Sequence, residues 1–256
     1  MIKKMLYHYK NSKFLRDNII LFIGSLSAGV LGFIFHFYMG RILGPADYSV
    51  LGVMLSIIYI MGIGLNTLQT GITKLVSELD AKKEYSKISY LISRLTNRAT
   101  KYGICLLVVF VLLTPLLAKF LHIKITPLLI IAPCVLFLML LPINRGSLQG
   151  LQRFKGLSWN LVTEGIVKLF GGIVLVFLGL GVYGAIISIV LSYMTPFVIG
   201  FYPLKDIIKN KKEKFNVRGI YKTSMPILIA LISLTLMYSI DLILVKHFFS
   251  DVEAGY

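Results

Sequence analysis

Long stretches with almost no polar residue alternate along the chain with short polar ones. Seven apolar runs stand out, at about 18–40, 50–73, 102–121, 127–148, 158–180, 183–204 and 224–247. Each is close to the 20 or so residues that cross a hydrocarbon core of about 30 Å at a rise of about 1.5 Å per residue. Inside lipid every backbone amide must find a partner within the protein, and these runs are too long and too evenly apolar for the alternating strands of a barrel. The pattern predicts an all-α fold, a polytopic transmembrane bundle of about seven helices.

Turns on one side are short: GRILGPADYS, LHIKIT and LGLGVYG. Those on the other side are longer and basic. In LDAKKEYSKISYLISRLTNRATKYG, Tyr85, Ile88, Leu91, Ile92 and Leu95 recur at helical spacing opposite Lys83, Lys87, Arg94 and Arg98. Two arrangements fit, an amphipathic helix lying on an anionic leaflet or a solvated, charged connector. Residues 205–222 are too polar for the membrane and too basic for a core. They divide the chain into a six-helix lobe (1–204), a basic cytoplasmic linker (205–222) and the first helix of an incomplete second lobe (223–256). A faint echo between GRILGPADYSV and VKHFFSDVEAGY fits a repeat offset by six helices.

Composition agrees with a membrane protein: 57% of residues are hydrophobic, 15% are charged, and the mean hydropathy is +0.82. The net charge of +16 would suit a nucleic-acid partner, but its distribution has another cause. With the N-terminus in the cytoplasm, 22 Lys and Arg fall on the cytoplasmic side, four fall outside (Arg41, Lys119, Lys124 and Lys246), and Lys168 alone sits within a span. The positive-inside rule accounts for that asymmetry, so no nucleic acid is implied. The first run is too long for a cleaved signal peptide and reads as a retained helix of a multi-pass protein of the cytoplasmic membrane. Cys105 and Cys134 fall inside spans, where they read as buried apolar fillers. Neither metal-ligand spacing nor a Walker A loop, HExxH, GxSxG or dinucleotide fingerprint occurs, so no metal, cofactor or enzyme activity is implied.

Charges at bilayer depth cost a few kcal/mol each and face a bundle interior or a wet cavity. Lys168 lies near the middle of the fifth span, with Glu164 one turn nearer the cytoplasm. Glu before Lys at this spacing is the favourable order for a helix ion pair, so each can neutralise the other as a structural lock. Alternatively both line a polar cavity, where Lys168 meets an anionic substrate and Glu164 tunes it. Arg145, with Asn144 and Gln149, forms a polar patch near the inner end of the fourth span. It suits either bidentate phosphate contacts or snorkelling to the interface. Asp241 in the seventh span has three readings: proton carrier, cation ligand or partner of Lys246. His36 shares a face with Ser25, Ala28, Gly29 and Gly32, a small-residue stripe suited to close helix packing around a buried, satisfied histidine.

GRILGPADYSVLGVMLSI, then RGSLQGLQRFKGLSWNLVTEGIVKLFGGIVLVFLGLGVYGAIIS, then SIDLILVKHFFSDVEAGY resemble the polysaccharide biosynthesis membrane proteins. These are oligosaccharide flippases of the multidrug, oligosaccharidyl-lipid and polysaccharide exporter superfamily, and the resemblance covers essentially the whole chain. It implies a two-lobed transporter working by alternating access on a polyprenyl-phosphate- or pyrophosphate-linked oligosaccharide, with membrane lipids around it. By position, Arg145 and Lys168, with Asn144 and Gln149, match cationic cavity groups that bind substrate, and Glu164 and Asp241 would be coupling or counter-charges. Family members continue beyond a seventh helix, so the resemblance also implies a fragment, a transporter completed by a second chain, or an inactive product. Two other functions fit the pattern. A cation-coupled multidrug exporter would want an acidic cavity, whereas the deep residues are two bases and two acids. A seven-helix receptor or assembly scaffold would explain the helix count, although a cytoplasmic N-terminus argues against the usual receptor orientation.

Overall fold

Apolar runs without internal partners other than their own backbone become helices, and the chain turns where glycine permits it. A computed structural model describes residues 13–214, with 13, 14 and 63–67 in backbone only. The helices are α1 (Lys13–Ala81), α2 (Tyr85–Phe120), α3 (Ile125–Ile131), α4 (Pro133–Gly150), α5 (Phe154–Leu175), α6 (Gly181–Ile199) and the short α7 (Lys205–Ile208). Among the described residues four helical stretches are long and apolar enough to cross a membrane: Leu15–Gly62, Tyr85–Phe120, Ile125–Gly150 and Phe154–Ile208. The protein is an all-α integral membrane protein.

The first and last of these stretches each cross twice. α1 breaks at Gly44, whose φ of 73° and ψ of 169° suit only glycine, and Pro45 opens the second arm. The reversal brings His36 Nδ1 to 3.2 Å from the Tyr48 hydroxyl. In an unbroken helix those twelve residues would span about 18 Å. A π-helical turn, Val176–Leu180, makes the second reversal, with φ positive at Gly179 and Gly181. A Cβ on Gly184 would lie 2.8 Å from the Leu175 carbonyl carbon, so α5 and α6 close as a tight hairpin. Six crossings result, at the first six expected spans, and the turns GRILGPADYS and LGLGVYG are almost wholly helical. The seventh span, with Asp241 and Lys246, lies outside the described residues.

α5 packs between the first arm of α1 and α6, while α4 packs on the second arm of α1 and on α2. Two apolar clusters follow. One, including Phe35, Met39, Leu51, Met54, Cys134 and Ile186, lies within the membrane layer. The other gathers Ile72, Val76, Ile88, Leu91, Leu148 and Ile207 at the cytoplasmic ends. Among the described residues Phe33, Leu112 and Phe177 are more than two-thirds exposed on the outside of the bundle.

Three expectations are corrected here. Residues 85–95 are neither a separate helix lying in the plane of a leaflet nor a solvated connector. They are the first turns of α2, and their apolar face, with Ile88 and Leu91 wholly buried, closes on the cytoplasmic cluster. Leu204 and Ile207, at the edge of the expected linker, are buried in the same cluster. Neighbouring helix ends offer apolar partners, and each such side chain removed from water contributes about 1.5–3 kcal/mol. Cys134 is buried as expected, whereas Cys105 is exposed on the outer side of α2.

Candidate functional site

Asn160, Glu164 and Lys168 recur every fourth residue of α5 and therefore stand above one another on one face. Glu164 lies about 15 Å along the axis from the cytoplasmic start of α5, and Lys168 about 6 Å further. Glu164 does not pair with Lys168. Its Oε2 accepts a hydrogen bond from Arg145 Nη2 of α4, and Arg145 Nε donates to Asn160 Oδ1 at 2.8 Å. A planar guanidinium, with its donors spread over a fixed fork, can serve acceptors on two successive turns at once. The Arg145 and Glu164 side chains are 13% and 20% exposed, so Arg145 is held inside the bundle rather than snorkelling.

Lys168 is left with an aromatic neighbour. Its Nζ lies 5.7 Å from the centroid of the fully buried Phe35 ring. Among the described residues no carboxylate comes within 4 Å of it. Beside it the small-residue stripe of α1 is only partly used for close packing: Ala28 Cα would lie 3.5 Å from a Cβ on Gly165, whereas Gly29 and Gly32 are open. A Cβ at Gly32 would meet only Lys168 Nζ, at 3.8 Å, and one at Gly29 would meet nothing within 4 Å. The close contacts lie on the other flank, where a Cβ at Gly165 would approach Leu31 to 3.0 Å and one at Gly172 would approach Phe35 to 2.8 Å. Among the described residues, Gly29 and Gly32 thus leave open space next to the ammonium. His36 is satisfied, as expected, by Tyr48.

The expected patch around Arg145 comes apart, because adjacent helical residues point about 100° from one another. Asn144 is fully buried and faces α6, where its Nδ2 donates to the Phe197 carbonyl at 2.9 Å. Asn160 Nδ2 donates to the Pro196 carbonyl at 2.6 Å. Asn144 thereby supplies a donor to the Phe197 carbonyl at the end of α6, and the Pro196 carbonyl accepts from both Asn160 Nδ2 and the Gly200 N–H. Gln149 faces the second arm of α1, its Oε1 accepting from Gln69 Nε2 at 3.1 Å and from Thr73 Oγ1 at 3.3 Å. Asn160, Gln69 and Thr73 escaped the sequence reading. The signal was present, since Asn160 with Glu164 and Gln69 with Thr73 are polar pairs four apart inside apolar runs.

Outside the membrane layer, Arg153 at the start of α5 binds both oxygens of Asp206 on α7 and donates to the Pro203 carbonyl. Arg153 holds the Asp206 carboxyl below its ordinary range, and Asp206 in turn raises Arg153. Among the described residues no group of three His, Cys, Asp or Glu could hold a metal ion. At depth, among the described residues, Arg145 is paired with Glu164 while Lys168 has no carboxylate within 4 Å, so one positive charge is left uncompensated.

Comparison with known proteins agrees on fold and family. The chain is 26% identical over 268 residues to an uncharacterized membrane protein of Methanocaldococcus jannaschii, a match over 94% of this chain and 60% of that protein. Its fold is similar to that of a solved structure described as the inward-facing conformation of a multidrug resistance MATE family transporter of the MOP superfamily, with a TM-score of 0.72 at 14% identity over 88% of this chain and 55% of the other. A MOP superfamily transporter from Pyrococcus furiosus, described as having a binding pocket of reverse polarity, gives a TM-score of 0.65 at 15% identity over 88% and 53%. The chain thus spans between half and two-thirds of the length of the proteins it matches. The model of the family described as polysaccharide biosynthesis protein covers residues 14–256, and the chain belongs to that family.

Proposed function

We propose that the chain forms the N-terminal lobe of a flippase that moves a polyprenyl-phosphate- or pyrophosphate-linked oligosaccharide across the cytoplasmic membrane by alternating access. The lobe ends near residue 204, and the remaining helices come from the second lobe or from a second chain. Lys168 carries the reading: a lysine deep in the bundle, beside open space and without an acidic partner among the described residues, is suited to the substrate's phosphate. Arg145 is the second anion-binding group, and Glu164 is the counter-charge that holds it until a phosphate takes its place.

Titration of the purified chain in detergent with a fluorescent polyprenyl-pyrophosphate oligosaccharide tests this. Lys168→Gln should weaken binding by about tenfold, the loss of a charge-assisted contact of roughly 1.4 kcal/mol or more. Equal affinity of variant and parent would sink the assignment. Tight binding of a cationic dye with none of the anionic lipid would favour a cation-coupled multidrug exporter.

A further inference from the structure

A second basic feature lies outside the bundle. Tyr90, Arg94, Arg98 and Lys101 of α2, with Lys212 from the segment after α7, line a groove of about 270 Å³. The segment is strapped along α2 by several bonds. Ser89 Oγ donates to the carbonyls of Ile208 and Asn210, Glu213 N donates to the Ser86 carbonyl at 3.3 Å, and Lys212 Nζ donates to Ser93 Oγ at 2.8 Å. Lys212 is therefore fixed opposite the arginines rather than trailing in solvent.

The groove is uncompensated. Among the described residues none of Arg94, Arg98, Lys101 and Lys212 has a carboxylate within 4 Å, and Glu84 and Glu213 both turn to Lys87. Arg94 is steadied by the Tyr90 hydroxyl and stacks over its ring, which leaves the rest of its guanidinium fork available.

Its position says what such a site meets. Lys101 is the last charged residue before the apolar part of α2, and Arg98 and Arg94 follow at about 4.5 and 10 Å on the cytoplasmic side by helical rise. A headgroup layer is about 5–7 Å thick, so Lys101 and Arg98 fall within it and Arg94 lies at its aqueous edge. Continuing the same stripe into the membrane at spacings of three and four, Cys105, Val108, Leu112 and Leu116 are exposed, Leu112 at 74%. One helix face thus carries cations at headgroup depth and bare apolar side chains at acyl-chain depth. We propose that this groove binds the phosphate headgroup of an anionic phospholipid of the cytoplasmic leaflet, whose chains lie along Val108 and Leu112. A free phosphate or a soluble anion would use the cations but not the apolar continuation.

Native mass spectrometry of the purified full chain, with dioleoylphosphatidylglycerol and dioleoylphosphatidylcholine added in equal amounts, tests the site. The parent should retain phosphatidylglycerol preferentially. The triple variant Arg94→Gln, Arg98→Gln, Lys101→Gln should lose at least about tenfold of that preference, given roughly 1 kcal/mol per basic residue near a membrane surface. Arg94→Lys with Arg98→Lys should keep most of it. If circular dichroism shows the triple variant misfolded, the exposed Lys212→Gln carries the same test with a loss of up to about fivefold. An unchanged preference in a folded variant would overturn the proposal. So would displacement of the lipid by millimolar inorganic phosphate, which would mark a site for a free anion.

Discussion

One guanidinium, that of Arg145, joins α4 to two successive turns of α5 by bonding Asn160 and Glu164 together. Removing either charged partner leaves the other unpaired at depth, whereas removing both does not. Glu164→Gln should therefore lower thermal stability in detergent by up to about 3 kcal/mol, the low end for a broken buried pair because both side chains keep some exposure. Arg145→Met with Glu164→Met should cost less than either single change. A double variant as unstable as the sum of the singles would show that the pair contributes no coupling.

Glycine positions on the two faces of the bundle should respond oppositely to one methyl group. A Cβ at Gly150 would lie 2.7 Å from Val76 Cβ and 2.8 Å from the Thr73 carbonyl, a backbone contact that cannot yield cheaply. Gly150→Ala should destabilise by about 1–3 kcal/mol. Gly29→Ala, in open space, should be neutral or stabilise by up to about 1 kcal/mol through helix propensity. Unfolding midpoints of the two variants decide the matter.

The Arg153–Asp206 pair gives the cytoplasmic end a pH dependence. Hydrogen bonding to Arg153 sets the folded Asp206 carboxyl below its unfolded value of 3.8, so the pair stabilises fully above that value and the contribution is lost as pH falls through the lower, folded one. Asp206 is 62% exposed, and solvent screening keeps the effect under about 1 kcal/mol. Protection factors across 204–208, corrected for the intrinsic pH dependence of amide exchange, should fall on acidification below pH 4 in the parent, and Asp206→Asn should show the lower protection already at pH 7.

Lys168 should be open to water-borne reagents only while the space beside it is empty. An amine-reactive acylating probe, mapped by mass spectrometry, should modify Lys168 in the parent and several-fold less in Gly32→Leu, whose side chain would begin 3.8 Å from Nζ. Equal modification would mean that the stripe of α1 does not control access.

Much of this was legible in the chain itself. Length and apolarity define the spans, and the charge asymmetry orients them, because both are set by the bilayer and need no knowledge of partners. Partners are what a single sequence conceals. Spacing alone favoured Glu164 with Lys168, yet a guanidinium from α4 takes the carboxylate first. Asn144 and Arg145 read as one patch but diverge by a helical step. The face at Ile88 and Leu91 had the correct period, but periodicity cannot tell a leaflet from the ends of α1, α4 and α7.

The two apolar clusters are solvated by different media, and that divides how the lobe holds together. In the membrane layer Phe35 and Met39 exchange lipid contacts for protein contacts, so close fit rather than the hydrophobic effect sustains them. At the cytoplasmic ends Ile88, Leu91 and Ile207 leave water, and there the hydrophobic effect acts at full strength. Urea in the aqueous phase would then unclasp α2 and α7 from the helix ends while the membrane half stayed assembled, a partial melting with two stages rather than one.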